Sequence, residues 1–440
     1  MNTIKTTILY FTLLQTCSFQ LFAQNDNYSA LIANKADEIE QKVINWRHDI
    51  HQHPELVNRE FRTAELIAKH LQSLGIETQT KVGFTDVVGI LKGDKPGPVI
   101  ALRADMDALP VVEKNDLPFA SKVKTDYNGK ETSVMHAYGH DAHVAILMGV
   151  AEVSFSIKKD LKGTVKFIFQ PAEEGAPKGE EGGAALMIKE GVLNDPNVDV
   201  IFGLHIVSDK EVGKIMYRPG GLMAGVADFK ITVLGKPSHD FQPWTSVDPI
   251  LVAAQIVTSL QQIISRNVNL SENPAVISIG AINGGNRSNI IPTQVELLGD
   301  VRAFNNEDEN LIYTRIKQIA EKTAEAAGAK AIVKLPYMDH YPLTFNDLEL
   351  TKNMLPSLQK SASIDNVKLV TPGTGAEDFS FFAQKVPGMY FGLGGMTKGQ
   401  DLKTAGPHQT PEFIIDDAGL KTGVIAFCNL IFDYGKLNKK

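Results

Sequence analysis

Three apolar runs of the chain each lead into acidic or imidazole side chains. These groups are Asp105 and Asp107 after the first run, Glu173 and Glu174 after the second, and His205 after the third. Ligands bind at the carboxyl ends of strands in open α/β sheets, so we expect these side chains to converge on one cleft. Zn, Mn, Co and Ni accept imidazole and carboxylate ligands. In a pair of glutamates, one can bind a metal while the other moves protons. The pattern therefore indicates a divalent-metal site with an acid–base group.

A histidine-rich segment, Met135–His143, precedes a predicted helix and could add ligands to this cluster. His140 and His143 are three residues apart at the helix start, so each could bind a metal, cap the helix or pair with Asp141. Three other histidines lie close together on a charged amphipathic helix, where we predict surface and capping roles: His48, His51 and His53.

Strands alternate with helices through most of the chain, which predicts an α/β layer with helices on both faces. The predicted helices are Ala30–Trp46, Phe61–Leu74, Ala142–Ile157, Gly183–Glu190, Leu348–Gln359 and Ala418–Tyr434. The predicted strands are Val87–Leu91, Val99–Leu102, Thr164–Phe169, Val200–Leu204 and Met389–Gly392.

Residues 214–336 follow a different order, strand–helix–strand–strand–helix–strand, which is the ferredoxin-like order. The predicted strands are Phe229–Leu234, Val276–Ala281, Val295–Ala303 and Ala331–Lys334, and the helices are Pro249–Ile264 and Leu311–Ala327. Because the α/β pattern resumes afterwards, we predict a small α+β domain inserted into a larger one.

Composition excludes several classes of protein. The chain has 440 residues, 43% hydrophobic and 22% charged, and a formal net charge of -7, so it lacks the basic footprint of a nucleic-acid-binding protein. Its two cysteines, Cys17 and Cys428, exclude a disulfide scaffold and a cysteine-rich zinc module. Beyond the first two dozen residues, no stretch reaches the roughly 18 uncharged apolar residues that a membrane span needs.

Residues 1–23 have the features of a secretory signal peptide. Lys5 precedes an apolar stretch, and small or apolar residues stand before a plausible cleavage point ahead of Gln24. This predicts a secreted or periplasmic protein. A lipoprotein cut before Cys17 is the less favoured alternative, because Gln15 and Thr16 are poor small-residue neighbours for such a site.

The order of these motifs resembles the aminoacylase-type amidohydrolases of the dinuclear metallopeptidase superfamily. That group includes hippurate hydrolases, auxin-conjugate hydrolases and, more distantly, carboxypeptidase G. The segments that carry the resemblance are Trp46–Glu55, Leu102–Pro110, Phe169–Gly175, Gly203–His205, Val247–Pro249, Gly284–Pro292 and Gly375–Ser380.

The resemblance implies a large mixed-sheet, zinc-peptidase-like catalytic α/β domain formed by residues 24–213 and 337–440. It also implies that the inserted ferredoxin-like domain, residues 214–336, is a dimerisation or lid domain. The expected partners are a second copy of the chain and a small amide or N-acyl amino acid.

Site residues can be carried across position by position. The resemblance implies that His140, His205 and Glu174 ligate metal. It implies that Glu173 is the general base, which takes a proton from the attacking water and passes it to the leaving amine. Asp107 would support these groups from behind.

Three further positions match substrate-handling residues of the family. His239, from the insert, would polarise the amide oxygen or steady the oxyanion. Asn289 and Arg302 would bind the substrate carboxylate, Arg302 through a bidentate fork.

The chain departs from the family pattern at two ligand positions. Tyr138 stands where the family has a cysteine whose thiolate bridges two metals. A tyrosine hydroxyl has a reference pKa of about 10 and is far bulkier than a thiol. Gln409 stands where the family has a histidine, and His408 lies one residue earlier, so a loop shift could bring that histidine in.

These departures predict one divalent ion, Zn, Mn, Co or Ni, held by His140, His205 and Glu174 with an open position. Two hypotheses follow. In the first, the protein is a secreted metal-dependent amidohydrolase that cleaves the amide bond of an N-acyl amino acid or similar small amide. In the second, it is a non-catalytic descendant that binds a small molecule, because both metal positions are altered.

Overall fold

The computed structural model describes the backbone of residues 3–338 and 340–437, and the side chains of residues 28–338 and 340–437. The predicted signal peptide, residues 1–23, lies outside the residues whose side chains are described. Among the helices in the described part of the chain, none combines the length and apolar character needed to cross a membrane.

Nine α-helices form within this described part. They are α1 (Thr3–Gln52), α2 (Phe61–Ser73), α3 (His140–Ser156), α4 (Gly183–Lys189), α5 (Pro249–Arg266), α6 (Asn306–Ala326), α7 (Leu348–Ala362), α8 (Phe379–Ala383) and α9 (Leu420–Tyr434).

The strands, over the same residues, are β1 (Glu77–Thr80), β2 (Val87–Lys92), β3 (Lys95–Asp105), β4 (Lys124–Tyr127), β5 (Lys130–Ser133), β6 (Lys162–Gln170), β7 (Val200–Glu211), β8 (Ile215–Tyr217), β9 (Gly220–Met223), β10 (Gly225–Leu234), β11 (Ser238–His239), β12 (Ala275–Asn283), β13 (Ile290–Ile291), β14 (Gln294–Ala303), β15 (Lys330–Lys334), β16 (His340–Tyr341), β17 (Thr344–Asn346), β18 (Val367–Leu369) and β19 (Gly388–Met396).

The chain divides into two compact units. The first contains Met1–Tyr217, Glu349–Leu369 and Val386–Lys440. Its main sheet has eight strands in the order β1-β2-β6-β3-β7-β19-β8-β18. Strand β3 runs parallel to β6 and β7, whereas β2 runs antiparallel to β6 and β8 antiparallel to β19. The predicted α/β class with a large mixed sheet is confirmed.

Helix α3 lies at the centre of this unit and contacts α1, α9 and β3. Almost every residue from His140 to Ser154 is buried, as expected for a helix that is apolar on all sides. Apolar side chains of the sheet, among them Leu102, Phe167 and Phe202, form the same core. The first turn of α3, with His140, is therefore anchored by packing along the whole helix.

The second unit contains Arg218–Leu348 and Val370–Lys385. Its main sheet has the strand order β12-β14-β10-β15, with β16 also pairing β10, and α5 and α6 pack against it. In chain order, β10-α5-β12-β14-α6-β15 is the predicted ferredoxin-like succession. Asp248 caps α5 by accepting from the Ile250 and Leu251 amides, with Pro249 as the first residue of the helix.

The second unit differs in extent from the predicted insert, residues 214–336. It also takes in residues 337–348 and 370–385, because β17 pairs with β9 and the Gly373 N–H donates to the Leu222 carbonyl oxygen. Residues 214–217 lie in the first unit instead, since β8 pairs with β19. These short pairings give no strong periodic signal in the sequence.

Close packing around Gly139, immediately before α3, can be tested by substitution. Its φ is +98°, and a Cβ there would lie 2.2 Å from Ile206 Cγ2. We expect Gly139→Ala to lower the free energy of unfolding by about 2–5 kcal/mol, from left-handed strain plus overpacking. Gly213→Ala is the matched control, because Gly213 has φ +82° and open space around it. Urea unfolding of both variants tests this, and equal destabilisation would contradict a steric role for Gly139.

Candidate metal and catalytic site

Adjacent strands bring the acidic segments of the first unit together. Asp105 is the last residue of β3 and Gln170 the last of β6, and the Met106 N–H donates to the Gln170 carbonyl oxygen at 3.0 Å. The segments that carry Asp107 and Glu173 therefore leave neighbouring strands side by side. His205 differs from the prediction, since β7 continues through it to Glu211 rather than ending before it.

His140 presents one ring nitrogen to the site. Its Nδ1 donates to the Asp107 carbonyl oxygen at 2.9 Å, and its buried Nε2 has no hydrogen-bond partner. Nε2 lies 3.9 Å from Asp105 Oδ2 and 4.0 Å from Glu173 Oε2. Burial would lower the pKa of His140, but Asp105, Asp107 and Glu174 outweigh it and raise this pKa to about 10. The same carboxylates would stabilise a metal cation at Nε2.

His205 also has a buried Nε2 without a hydrogen-bond partner, but its pKa is shifted in the opposite direction from that of His140. Its Nδ1 donates to the Ile206 carbonyl oxygen at 2.6 Å, which leaves the buried Nε2 without a partner. Burial, with His143 and His408 nearby, holds the pKa of His205 well below its usual value. The ring is therefore neutral, and its Nε2 lone pair is available to a metal.

Asp107 fixes the backbone that carries the two glutamates. Its Oδ1 accepts from the Glu173 N–H and its Oδ2 from the Glu174 N–H, both at 3.0 Å. The ligand atoms of His140, Glu173 and Glu174 all lie within 4.8 Å of one another. Asp107 thus accepts hydrogen bonds from both glutamates and from His140, and its predicted supporting role in catalysis stays a prediction.

Gln409 contacts the site through Glu174. Its Nε2 donates to both carboxylate oxygens of Glu174, at 3.2 and 3.1 Å. Burial and Asp107 raise the pKa of Glu174 to about 7, against the opposing effects of His140 and Gln409. Because the Gln409 side-chain amide donates to both oxygens of Glu174, it competes with a metal for these oxygens.

Tyr138 lies among three histidines. Its ring centroid is 4.7 Å from that of His205, 4.8 Å from that of His408 and 5.9 Å from that of His140. The Nε2 of His408 accepts from the Ser208 N–H at 3.1 Å, so its lone pair is already engaged. The predicted loop shift that would make His408 a ligand is not seen in this conformation.

The residues present fit a divalent metal ion. The buried Nε2 atoms of His140 and His205 have no hydrogen-bond partner, and imidazole and carboxylate are ligands that zinc accepts. The ligand atoms of His140, Glu173 and Glu174 lie within 4.8 Å of one another, and the ring centroids of His140 and His205 are 6.1 Å apart. Tyr138 and Gln409 bring neither a thiolate nor an imidazole to this site, since the Tyr138 ring lies beside His205 and Gln409 donates to Glu174.

His143, the other candidate on α3, is fully engaged. Its Nδ1 donates to Asp105 Oδ1 at 2.5 Å, and its Nε2 accepts from the Ile206 N–H at 2.8 Å. Buried Arg103 pairs with the other oxygen of Asp105 at 2.5 Å. These neighbouring groups lower the pKa of Asp105 more than burial raises it, so this pKa lies well below its usual value. The negative charge of Asp105 therefore offsets positive charge beneath the site.

The prediction of surface and capping roles is wrong for His51. It is 1% exposed and lies between two carboxylates, with Nδ1 2.9 Å from Asp141 Oδ2 and Nε2 3.2 Å from Glu113 Oε1. Buried Arg47 pairs with the same Asp141 oxygen at 3.0 Å. Charged residues on α1 thus face inward, and they hold the first turn of α3 through Asp141.

His136 gives the stability of this region a pH dependence. It is buried, and burial lowers its pKa to about 3. Because the unfolded chain binds this proton near pH 6.5, the group's contribution is complete above that pH and is lost as the pH falls towards 3. As the pH falls below about 6.5, we expect the free energy of unfolding of the wild type to decrease relative to that of His136→Leu, by up to about 1.4 kcal/mol per pH unit.

Urea unfolding at pH 7, 6 and 5 measures this slope. His53→Gln, at a half-buried position near the end of α1, serves as the control and should follow the wild type. Parallel curves for wild type and His136→Leu would contradict the prediction.

The second unit brings together two of the predicted substrate-binding residues. His239 pairs with Ile290 across β11 and β13, and the Asn289 Nδ2 donates to His239 Nε2 at 3.5 Å. His239 Nδ1 lies 2.7 Å from Asp240 Oδ1. Arg302, on β14, pairs with Asp300 at 2.9 Å. The substrate-binding roles of these residues stay predictions.

Sequence reasoning missed Glu60, Arg103 and Arg47. Each is a buried charged residue that holds a site segment through hydrogen bonds. Charged residues on a helix or in a loop are normally read as solvent-facing, so only their burial distinguishes them.

Comparisons with known proteins identify the family of this chain. The profile of peptidase family M20/M25/M40 matches residues 101–433. Thermostable carboxypeptidase 2 of Saccharolobus solfataricus is 40% identical over 404 residues, which cover 92% of this chain and 98% of that protein. An N-acetylcysteine deacetylase of Bacillus subtilis is 38% identical over 396 residues, which cover 88% and 96% of the two chains.

A solved structure shows the same fold. A dinuclear metal-binding peptidase of family M20 from Bacillus subtilis has a TM-score of 0.73 and 35% identity, and the match covers 90% of this chain and 98% of that one. The predicted resemblance is confirmed. The chain therefore belongs to peptidase family M20/M25/M40, as a member of its amidohydrolase type.

Proposed function

We propose that this protein hydrolyses the amide bond of an N-acyl amino acid or a similar small amide, using one divalent ion and Glu173 as general base. The observation that carries the proposal is the cluster of buried His140 and Glu173 with half-buried Glu174, whose ligand atoms lie within 4.8 Å of one another. N-acetylcysteine, which the Bacillus subtilis relative deacetylates, is an N-acyl amino acid.

The roles of the residues follow from their positions. His140, His205 and Glu174 would hold the ion, which when bound supplies Lewis-acid charge for activating water and polarising a carbonyl. Glu173 takes a proton from the attacking water and returns it to the leaving amine. Asp107 orients Glu173 and Glu174 through their backbone amides, so that the base does not drift from the reacting atoms.

The family resemblance also supports substrate-binding roles for three residues of the second unit. His239, whose Nδ1 lies 2.7 Å from Asp240 Oδ1, would polarise the amide oxygen or steady the oxyanion. Asn289, which is already beside His239, and Arg302 would bind the carboxylate of the amino acid.

Oligomeric state and location belong to the same proposal. Exposed apolar side chains on α5 and on the edge strand β12 support a homodimer formed through the second unit, namely Ile250, Leu251, Val276 and Ile282. The predicted signal peptide supports secretion or a periplasmic location.

A substrate panel tests the proposal. Purified protein supplied separately with Zn, Mn, Co or Ni is assayed for release of free amino acid from N-acyl amino acids that vary in both halves. We expect hydrolysis of at least one subset and its loss on chelation. No hydrolysis of any panel member with any of these metals would contradict the proposal.

A second candidate function rests on a specific observation. The hydrogen bonds from Gln409 to Glu174 and the ring of Tyr138 alter the metal site, which favours a descendant that binds a small amide or carboxylate without cleaving it. Such a protein would bind panel members by calorimetry while leaving them intact.

A further inference from the structure

The turn that carries the two glutamates is held by an unusual set of hydrogen bonds. Three consecutive backbone N–H groups each donate to a buried carboxylate. The Ala172 N–H donates to Glu60 Oε1 at 3.2 Å, and the Glu173 and Glu174 N–H groups donate to the two oxygens of Asp107 at 3.0 Å. Ala172 has φ +57°, a left-handed conformation that a non-glycine residue adopts only when its surroundings hold it.

Glu60 is itself firmly fixed. It is 0% exposed, and its Oε1 also accepts from the Asn58 N–H at 2.9 Å. Its Oε2 accepts from the Thr85 hydroxyl at 2.5 Å. Burial and the nearby charge of Asp107 raise the pKa of Glu60 to about 8. A carboxyl group buried this deeply needs hydrogen bonds to its oxygens, and one of the donors is the Ala172 amide.

The neighbouring residue Asn58 holds the other end of the same loop. It is buried, and its Nδ2 donates to Glu180 Oε2 and to the Glu181 carbonyl oxygen, both at 3.1 Å. Residues 58–60 therefore contact the loop of residues 171–182 at both ends. Arg59 adds an exposed pair with both oxygens of Glu180, at 2.6 and 3.0 Å, and donates to the Asn58 carbonyl oxygen at 2.8 Å.

We propose that Glu60 is a positioning residue for hydrolysis, which sets the left-handed turn at Ala172 and so aims Glu173 at the reacting water. The inference rests on the proposed role of Glu173 as general base. Asp107 holds Glu173 and Glu174 through their N–H groups, and Glu60 holds the residue before them through the Ala172 N–H. Without Glu60, Ala172 can relax from its left-handed conformation, and the carboxylate of Glu173 shifts with it.

Glu60→Ala is expected to lower kcat by about 10- to 100-fold, with KM and bound metal per chain close to wild type. Glu60→Gln should recover most of kcat, because its amide oxygen can still accept from Ala172. Thr85→Val is the matched control. It removes a hydrogen bond to the same carboxylate without touching the turn, and should leave kcat within a few-fold of wild type. Arg59→Gln should behave as wild type.

Hydrogen exchange gives a readout that needs no substrate. The amides of residues 172–174 should exchange faster in Glu60→Ala than in wild type or Thr85→Val, while those of β3 and β6 stay unchanged. If Glu60→Ala does not fold, Glu60→Leu, which keeps the bulk of the side chain but offers no acceptor to the Ala172 N–H, should show the faster exchange at the same amides.

Unchanged exchange at these amides, or a kcat for Glu60→Ala equal to that of Thr85→Val, would overturn the positioning role. If the wild type hydrolyses nothing, the exchange result still decides the inference, and the failure then belongs to the proposed function alone.

Discussion

Glu173→Gln is expected to reduce kcat for N-acyl amino acid hydrolysis by about 10²- to 10⁴-fold, the usual contribution of a positioned general base. The amide keeps the size of the glutamate and the backbone N–H that donates to Asp107, but it cannot take a proton from water. Bound metal per chain and the free energy of unfolding should stay close to wild type. The measurement is steady-state kinetics on the best panel substrate, with elemental analysis of the same preparation.

Two further variants distinguish the proposed general base, Glu173, from the proposed metal ligand, Glu174. Glu174→Gln should lower both bound metal and kcat, because Glu174 is proposed to hold the ion. Glu181→Gln, at an exposed position in the same loop, should change neither. Activity retained in Glu173→Gln would exclude this residue as the base and leave the reaction without the proton carrier proposed here.

The double variant Tyr138→Cys with Gln409→His is expected to raise bound metal from about one ion per chain to about two. In the wild type, His140, His205 and Glu174 are proposed to hold one ion, and a second ion lacks ligands because Tyr138 and Gln409 stand at the two altered ligand positions. A thiolate would replace the bulky ring of Tyr138, and an imidazole would replace the amide donors. Elemental analysis after dialysis against trace Zn and Mn measures the change.

Single variants provide the controls. Tyr138→Cys alone and Gln409→His alone each restore only one of the two missing ligands. The bound metal of each single variant should therefore stay close to one ion per chain. Two ions in the wild type would contradict the single-ion arrangement and show that Tyr138 or His408 serves as a ligand. No metal in the wild type, with binding of intact panel compounds, would favour the small-molecule-binding alternative.

Several parts of the site were predictable because they are local in sequence. Acidic residues directly after apolar runs mark strand ends, and the parallel pairing of β3 with β6 places Asp107 beside Glu173. The strand–helix order of the inserted region predicted the antiparallel sheet of the second unit. The two departures, Tyr138 and Gln409, were also visible as single letters against the family pattern.

Other parts depended on contacts between distant segments. Burial of His51 follows from its pairing with Asp141, which lies 90 residues away, and a charged helix face gives no sign of that partner. The free nitrogen of His205 is determined by a hydrogen bond to the Ile206 carbonyl oxygen, which composition cannot predict.

The sequence by itself determined the fold class, the family and the residue types that could bind metal and move protons, because these depend on periodicity and on motifs within a few residues. Only the tertiary structure decided which lone pairs face the site, that Gln409 donates to Glu174, and that Glu60 holds the turn before Glu173. The physical reason is that hydrogen-bond direction and burial depend on which segments meet in space. Glu60 and Ala172 are 112 residues apart in the chain, yet they share one hydrogen bond.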